Sequence, residues 1–228
     1  MRRIRAADDQ GADRARAVDA DVAGAVERVL DEVLGARLAE AATADALFRR
    51  DIAERVARFT LGGGKRLRGR FVWWGLRVCG GGGETAGAAL RLAAALELVQ
   101  TCALVHDDVM DGAELRRGRP ALHAEMRGQY AQQPGNGRSA RSAEAFGRSA
   151  AVLAGDLALA WADDTVMDTG FPATARSAVH ALWRTMRTEM VAGQYLDLHS
   201  QVTACRSPPA RSAPPASRAR AIRSSGRC

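Results

Sequence analysis

Aromatic side chains are scarce in this chain, at 5% of its 228 residues. Strands are built largely from aromatic and β-branched residues, and no strand pattern is present, so a sheet-based core is not expected. Cysteine is nearly absent too. Cys79, Cys102, Cys205 and Cys228 are scattered without metal-ligand spacing, which excludes a zinc module or a disulfide framework. Cys79 and Cys102 sit in apolar patterns and are expected to be buried free thiols. No uninterrupted apolar run reaches the ~18 residues of a membrane span, so no integral membrane contact is expected. The stretch Met1–Asp9 is basic with no apolar run behind it, unlike a secretory signal, and a cytoplasmic location is the expectation. No repeat of solenoid length is present.

The most useful scarcity is lysine. Among 33 basic residues Lys65 is the only one, and it lies in Leu61-Gly62-Gly63-Gly64-Lys65-Arg66-Leu67-Arg68. A compact ammonium beside a tight backbone is one reason to keep a single lysine in an arginine-rich chain; chance is the other. Acidic residues are missing from 206–228, which holds six arginines. Removing those six from the net charge of +7 leaves +1 for the rest, so the basic balance belongs to the tail and no nucleic-acid partner is expected.

What is abundant is alanine and leucine within a 47% apolar composition, which favours an all-α fold. Apolar residues recur at helical steps over 15–59, over Leu67–Cys79, from Glu84 to Met110, over 120–130, from Ala143 to Met167 and from Ala173 to Val202. Leu67–Cys79 is apolar nearly all round and reads as interior. Gly112–Pro120 reads as a loop, and 132–139 as a polar surface loop. The organisation expected is a flexible 1–14, a helical domain over 15–205, and a disordered Arg/Pro/Ser-rich 206–228 that carries four of the seven prolines.

Chemistry concentrates in His106-Asp107-Asp108-Val109-Met110-Asp111, followed by Arg116-Arg117-Gly118. At about 100° per helical residue, Asp107 and Asp111 share a face one turn apart, with Asp108 to the side. Carboxylates that close repel unless a cation lies between them, and hard oxygen donors at this spacing suit Mg²⁺ completed by water and phosphate oxygens. The arginines are forks for the remaining phosphate charge. An ordinary acidic helix end beside a solvated basic loop is the bland alternative. The glycine run with Lys65 and Arg68 opens a helix and could cradle a second phosphate, although it is not a Walker A loop.

Gly63-Gly64-Lys65-Arg66-Leu67-Arg68, Asp107-Asp108-x-x-Asp111 with Arg116-Arg117-Gly118, Ala154-Gly155-Asp156 and Gly193-Gln194-x-x-Asp197 occur in one order. In these motifs the chain resembles the polyprenyl synthases, the trans-type isoprenyl diphosphate synthases, and among them the geranylgeranyl diphosphate synthases. The resemblance covers about residues 15–205. It implies an isoprenoid synthase-type helical bundle that condenses isopentenyl diphosphate with an allylic prenyl diphosphate, using Mg²⁺. It implies that Asp107 and Asp111 hold the metal, with Asp108 supporting and Arg116 on the allylic diphosphate. Lys65, Arg68, Gln100, Arg117 and Gln194 are the other implied substrate-binding residues; many family members have histidine at position 100. A homodimer is the implied assembly once the fold is completed.

The chain departs from the family in lacking the second aspartate-rich motif and the lysine-threonine pair before it. Asp163 and Asp168 stand about 140° apart on a helix and read as surface acids rather than as that motif. Small Cys102 and Ala103 before the first motif imply a geranylgeranyl-type or longer product. The composition change after Ala204 suggests a reading-frame error or truncation, which translation of the other two frames tests. Little or no elongation is expected of the chain as written. The alternative is a non-catalytic prenyl-diphosphate-binding or heteromer subunit. His123, His180 and His199 are expected to be structural or exposed, and Trp73, Trp74 and Trp183 to be core.

Overall fold

The computed structural model describes residues 11, 13–131 and 140–204; the expected surface loop at 132–139 and disordered tail at 206–228 lie outside them. The described residues are helical apart from short connections and one small hairpin. Residues 13–20 form α1, and α2 (Val22–Ala44) follows after a single break. The break is Asp21, whose carboxylate accepts from Gly24 N at 2.9 Å and caps α2. Asp45 repeats this at Phe48 N, starting α3 (Ala46–Phe48), which passes through a π-turn (Arg49–Ala53) into α4 (Glu54–Leu61). The expected helical stretch is thus punctuated by two N-caps, and helix already covers 13 and 14, which had been assigned to the flexible end.

After the glycine run come α5 (Leu67–Val78), a 3₁₀ turn (Gly83–Thr85) and α6 (Ala86–Asp111). The hairpin pairs β1 (Leu115–Arg116) with β2 (Arg119–Pro120), antiparallel, with Arg116 opposite Arg119. The remaining helices are α7 (Leu122–Ala131), α8 (Ala140–Met167) and α9 (Ala173–Ala204). Two compact units are present, residues 1–187 and 188–228, with the boundary inside α9.

The core of the first unit lies where α6 packs on α8, flanked by α2, α5 and α7. Alanine lets the α6 and α8 backbones approach: Ala93, Ala94 and Ala95 of α6 and Ala151, Ala154, Ala158 and Ala162 of α8 are all buried, Ala93 beside Gly69 of α5. Trp73 is fully buried and donates to Asp19 Oδ1 at 2.9 Å, tying α5 to α1.

Four expectations need correction. Helix α5 is not interior: Leu67, Phe71, Trp74 and Val78, spaced along one face, are all exposed, Val78 by 87%. Its apolar residues encircle the helix, but only Trp73 and Gly69 are buried. Trp74 is therefore not core, whereas Trp183 is buried. Cys79 caps the exposed end of α5 and is itself exposed; Cys102 is buried as expected. Finally, Gly83–Asp111 is long and apolar enough to cross a membrane by length and composition, with mean hydropathy 1.6 over its best 18-residue window. Alanines interspersed with leucines raise its hydropathy without a long bulky run, and half of that window is buried against neighbouring helices.

Candidate active site

Helix α6 ends by presenting its three carboxylates differently. Asp107 is half-buried, Asp111 is exposed at the last turn, and Asp108 is fully buried. Gly112 then takes a left-handed φ of 63°, and its N–H bonds back to Asp108 O, which stops the helix directly after Asp111. The negative end of the α6 dipole and two neighbouring carboxylates thus meet at one surface, a favourable place for a cation. Among the described residues no three His, Cys, Asp or Glu side chains converge. Two carboxylates fit Mg²⁺, which keeps water and takes oxygens from substrate phosphates rather than demanding a full protein cage.

Asp108 turns inward to the hairpin. Its Oδ1 accepts from Arg116 Nε at 2.8 Å and from Arg116 Nη2, while Oδ2 is buried without a partner among the described residues. The guanidinium of Arg116 is held above its ordinary value first by this hydrogen bond, against the opposing pull of burial, and further by attraction to Asp108, Asp107 and Asp111. Arg116 therefore sits within the field of all three aspartates, with Nη1 left over for another acceptor.

The hairpin turn joins this end of α6 to the glycine run. Arg117 and Gly118 both have positive φ, 52° and 75°, as a two-residue type I′ turn requires. An arginine in that region is strained, and a contact offsets it: Arg117 Nη1 donates to Gly63 O. A side chain on Gly64 would come within 3.6 Å of Arg117 Nη2. The structure thus brings Arg117 beside the loop that carries Lys65, and Gln100 lines a small recess with Arg117, Thr60 and Gly63. Lys65 and Arg68 are both exposed, at the start of α5. Gln194 and Asp197 belong to the second unit, half-buried and exposed respectively.

Arg66 is a residue to which sequence reasoning gave no role. It is left-handed (φ 47°) and 3% exposed. Its guanidinium donates to Thr60 O at 3.0 Å, Leu61 O at 3.3 Å, Glu97 Oε2 at 3.2 Å and Glu27 Oε1 at 3.2 Å. This staples the end of α4, the glycine run, α2 and α6 together and sets where Lys65 leaves the backbone. In the sequence it is one arginine in a basic cluster; nothing in charge patterning separates it from Arg68.

The Ala154-Gly155 pair also acquires a reason. A methyl group at Gly155 would overlap the His106 ring, whose Nε2 lies 3.2 Å from Val152 O. Asp156 Oδ1 stands 3.6 Å from the same nitrogen. Just below, Cys102 lies 3.7 Å from His106 Nδ1, and burial pushes its thiol up to about 12. The acids at the end of α8 are paired: half-buried Asp163 accepts from Trp183 Nε1 at 2.7 Å and from Arg187, and Asp168, exposed as expected and just past the helix, accepts from Arg37 at 2.7 Å. They join α8 to α9 and α2. His123 is buried, with neither ring nitrogen partnered among the described residues, and His180 packs edge-on against Phe171.

Comparison with known proteins identifies the family. The profile of the polyprenyl synthetase family matches residues 50–208, more than half of the chain. The chain belongs to that family. Chloroplastic geranylgeranyl pyrophosphate synthase 11 of Arabidopsis thaliana is 38% identical over 157 residues, covering 66% of this chain and 38% of that protein. Heptaprenyl diphosphate synthase component 2 of Geobacillus stearothermophilus is 43% identical over 82 residues, 36% of this chain and 25% of that protein. The crystal structure of a Corynebacterium glutamicum geranylgeranyl pyrophosphate synthase, complexed with isoprenyl diphosphate and magnesium, superposes with a TM-score of 0.70 at 34% identity. That match covers 78% of this chain and 50% of the other. Apart from the small hairpin, the described residues are helical, and over this stretch the chain is similar to proteins named as geranylgeranyl pyrophosphate synthases. It spans 50% of the solved structure and about 37% of the plant relatives.

Proposed function

We propose that this chain binds an allylic prenyl diphosphate through Mg²⁺ and presents it to isopentenyl diphosphate for head-to-tail condensation. One observation carries the reading: the hairpin contact of Arg117 with Gly63 brings the aspartate end of α6 and the lysine-bearing glycine loop to a single place. Asp107 and Asp111 would hold the metal. When bound, Mg²⁺ neutralises charge accumulating on the departing diphosphate. Arg116, locked by Asp108, keeps its outer nitrogen for the same diphosphate. Lys65, Arg68, Arg117 and Gln100 would take the diphosphate of isopentenyl diphosphate. No protein nucleophile is required: the C–O electron pair leaves with diphosphate, the double bond of the second substrate attacks the cation, and a proton is then lost. The resemblance, with small residues at Cys102 and Ala103 before the aspartate segment, supports a product of geranylgeranyl length or longer.

The 228 residues contain one aspartate-rich segment of this type, so the chain by itself is proposed to bind better than it turns over. Incubation with Mg²⁺, isopentenyl diphosphate and farnesyl diphosphate tests this. Trace or no elongation is expected of the isolated chain, and turnover at a rate ordinary for enzymes, several per second, would refute it.

A second reading is a subunit that acts within a heteromer. It is favoured by two relatives whose names describe a heterodimeric synthase large subunit and a synthase component. A homodimer is the first expectation, and light scattering of the purified chain decides between a self-associating and a partner-requiring subunit.

A further inference from the structure

A cavity of about 430 Å³ opens between α4, the hairpin and α7, and no residue of α6 lines it. Five guanidinium groups line it, Arg55, Arg58, Arg116, Arg117 and Arg119, against one carboxylate, Glu125. Lys65, Arg68 and Gln100 are not part of its wall.

The donors are unevenly committed. All three nitrogens of Arg55 are engaged, by Glu125 Oε1 at 2.9 Å, Gln129 Oε1 at 2.6 Å and Asp51 O. Arg116 is turned to Asp108. Arg58 makes one bond, to Glu125 Oε1 at 3.1 Å, and Arg117 makes one, to Gly63 O. Arg119, opposite Arg116 in the hairpin register, has no partner among the described residues. Three forks thus retain N–H groups around a hollow whose lining carries four more positive charges than negative. Like charges crowded around a cavity raise its potential, and forked, weakly hydrated guanidinium groups match phosphate oxygens. The volume lies within the range of small-molecule sites, about 300–1,000 Å³.

We propose that this cavity is a second anion site that takes inorganic diphosphate, the leaving group of the proposed condensation, without help from a metal. The choice of diphosphate rests on the proposed function; the anion site itself rests on the arginines. Arg116 and Arg117 border both sites, so a departing diphosphate has a cationic surface leading away from the aspartates.

The experiment is calorimetric titration of inorganic diphosphate into the full chain in EDTA, with no prenyl substrate present. Because neither metal nor prenyl group enters, failure of the prenyl-transfer reading leaves this result unaffected, and the converse also holds. The expected result is that the tighter diphosphate site weakens at least ten-fold in R58A/R119A and stays within two-fold in K65A/R68A. Arg58 and Arg119 are exposed, so the variant should fold; R58Q/R119Q, which keeps the length of the side chains, should weaken binding in the same way, and circular dichroism checks each protein. A parallel titration with isopentenyl diphosphate is expected to be unchanged in R58A/R119A. Unchanged binding of inorganic diphosphate in both arginine variants would overturn the proposal. So would loss in K65A/R68A, or an equal loss for isopentenyl diphosphate in R58A/R119A, since each places the anion in the substrate site instead.

Discussion

Arg116 reaches back eight residues to the buried carboxylate of Asp108 and is that carboxylate's only partner among the described residues. Removing one member of such a pair strands a charge in the interior. Arg116→Ala should therefore destabilise the chain by about 3 kcal/mol, the low end of the range for broken buried pairs because Arg116 keeps 30% exposure. Urea denaturation measures it, and D108N/R116A should recover most of the loss.

Gly155 is a packing requirement, not a flexible joint. Gly155→Ala would drive a methyl group into the His106 ring and should cost about 1–3 kcal/mol, as overpacked cores do. His106→Ala in the same chain should relieve it. A double-mutant cycle in thermal or urea unfolding should return a non-additive pair, whereas simple additivity would mean that the two residues do not meet.

The thiols should differ in reactivity. Cys102 is buried and its thiol is pushed up to about 12, so it carries almost no thiolate at pH 8, while Cys79 is exposed. Iodoacetamide at pH 8 followed by peptide mass spectrometry should label Cys79 within minutes and Cys102 only after denaturation.

Glu144 links α8 to the hairpin side through Arg127, with Arg148 on its other oxygen. These bonds, Arg127 first, lower its carboxyl to about 2 from the ordinary 4.5. A lowered folded value means that its contribution is complete above about pH 4.5 and is lost as pH falls toward 2. The pair is partly exposed, so the effect is modest. Glu144→Gln should melt below the parent at pH 7, and the gap should narrow below pH 4.5 and close only as pH approaches 2.

Much of this was legible in the residues. Helical periodicity and the scarcity of aromatics pointed to an all-α chain, and the stops at Gly62–Gly64 and after Asp111 fell where glycine ends a helix. The aspartates, Arg117 and the glycine loop were nameable as a site because their chemistry is local in sequence. What was not legible depends on partners far away in the chain. Arg66 reads as one more surface cation until Glu97 and Glu27 are placed around it. The outward face of α5 reads as core because periodicity reports apolarity, not what lies opposite. The hairpin was missed because Arg117-Gly118 is a poor type I′ turn by local preference, and the Gly63 carbonyl is what holds it. Gly155 looked like a motif letter until His106 filled the space beside it.

The most direct test of the central claim, that Asp107 and Asp111 hold Mg²⁺ on an allylic diphosphate, is calorimetric titration of geranyl diphosphate with and without Mg²⁺, in the parent chain and in D107N/D111N. The account predicts saturable binding that needs Mg²⁺ and falls at least ten-fold in the variant. Equal affinity in EDTA, or an unchanged affinity in D107N/D111N, would contradict it.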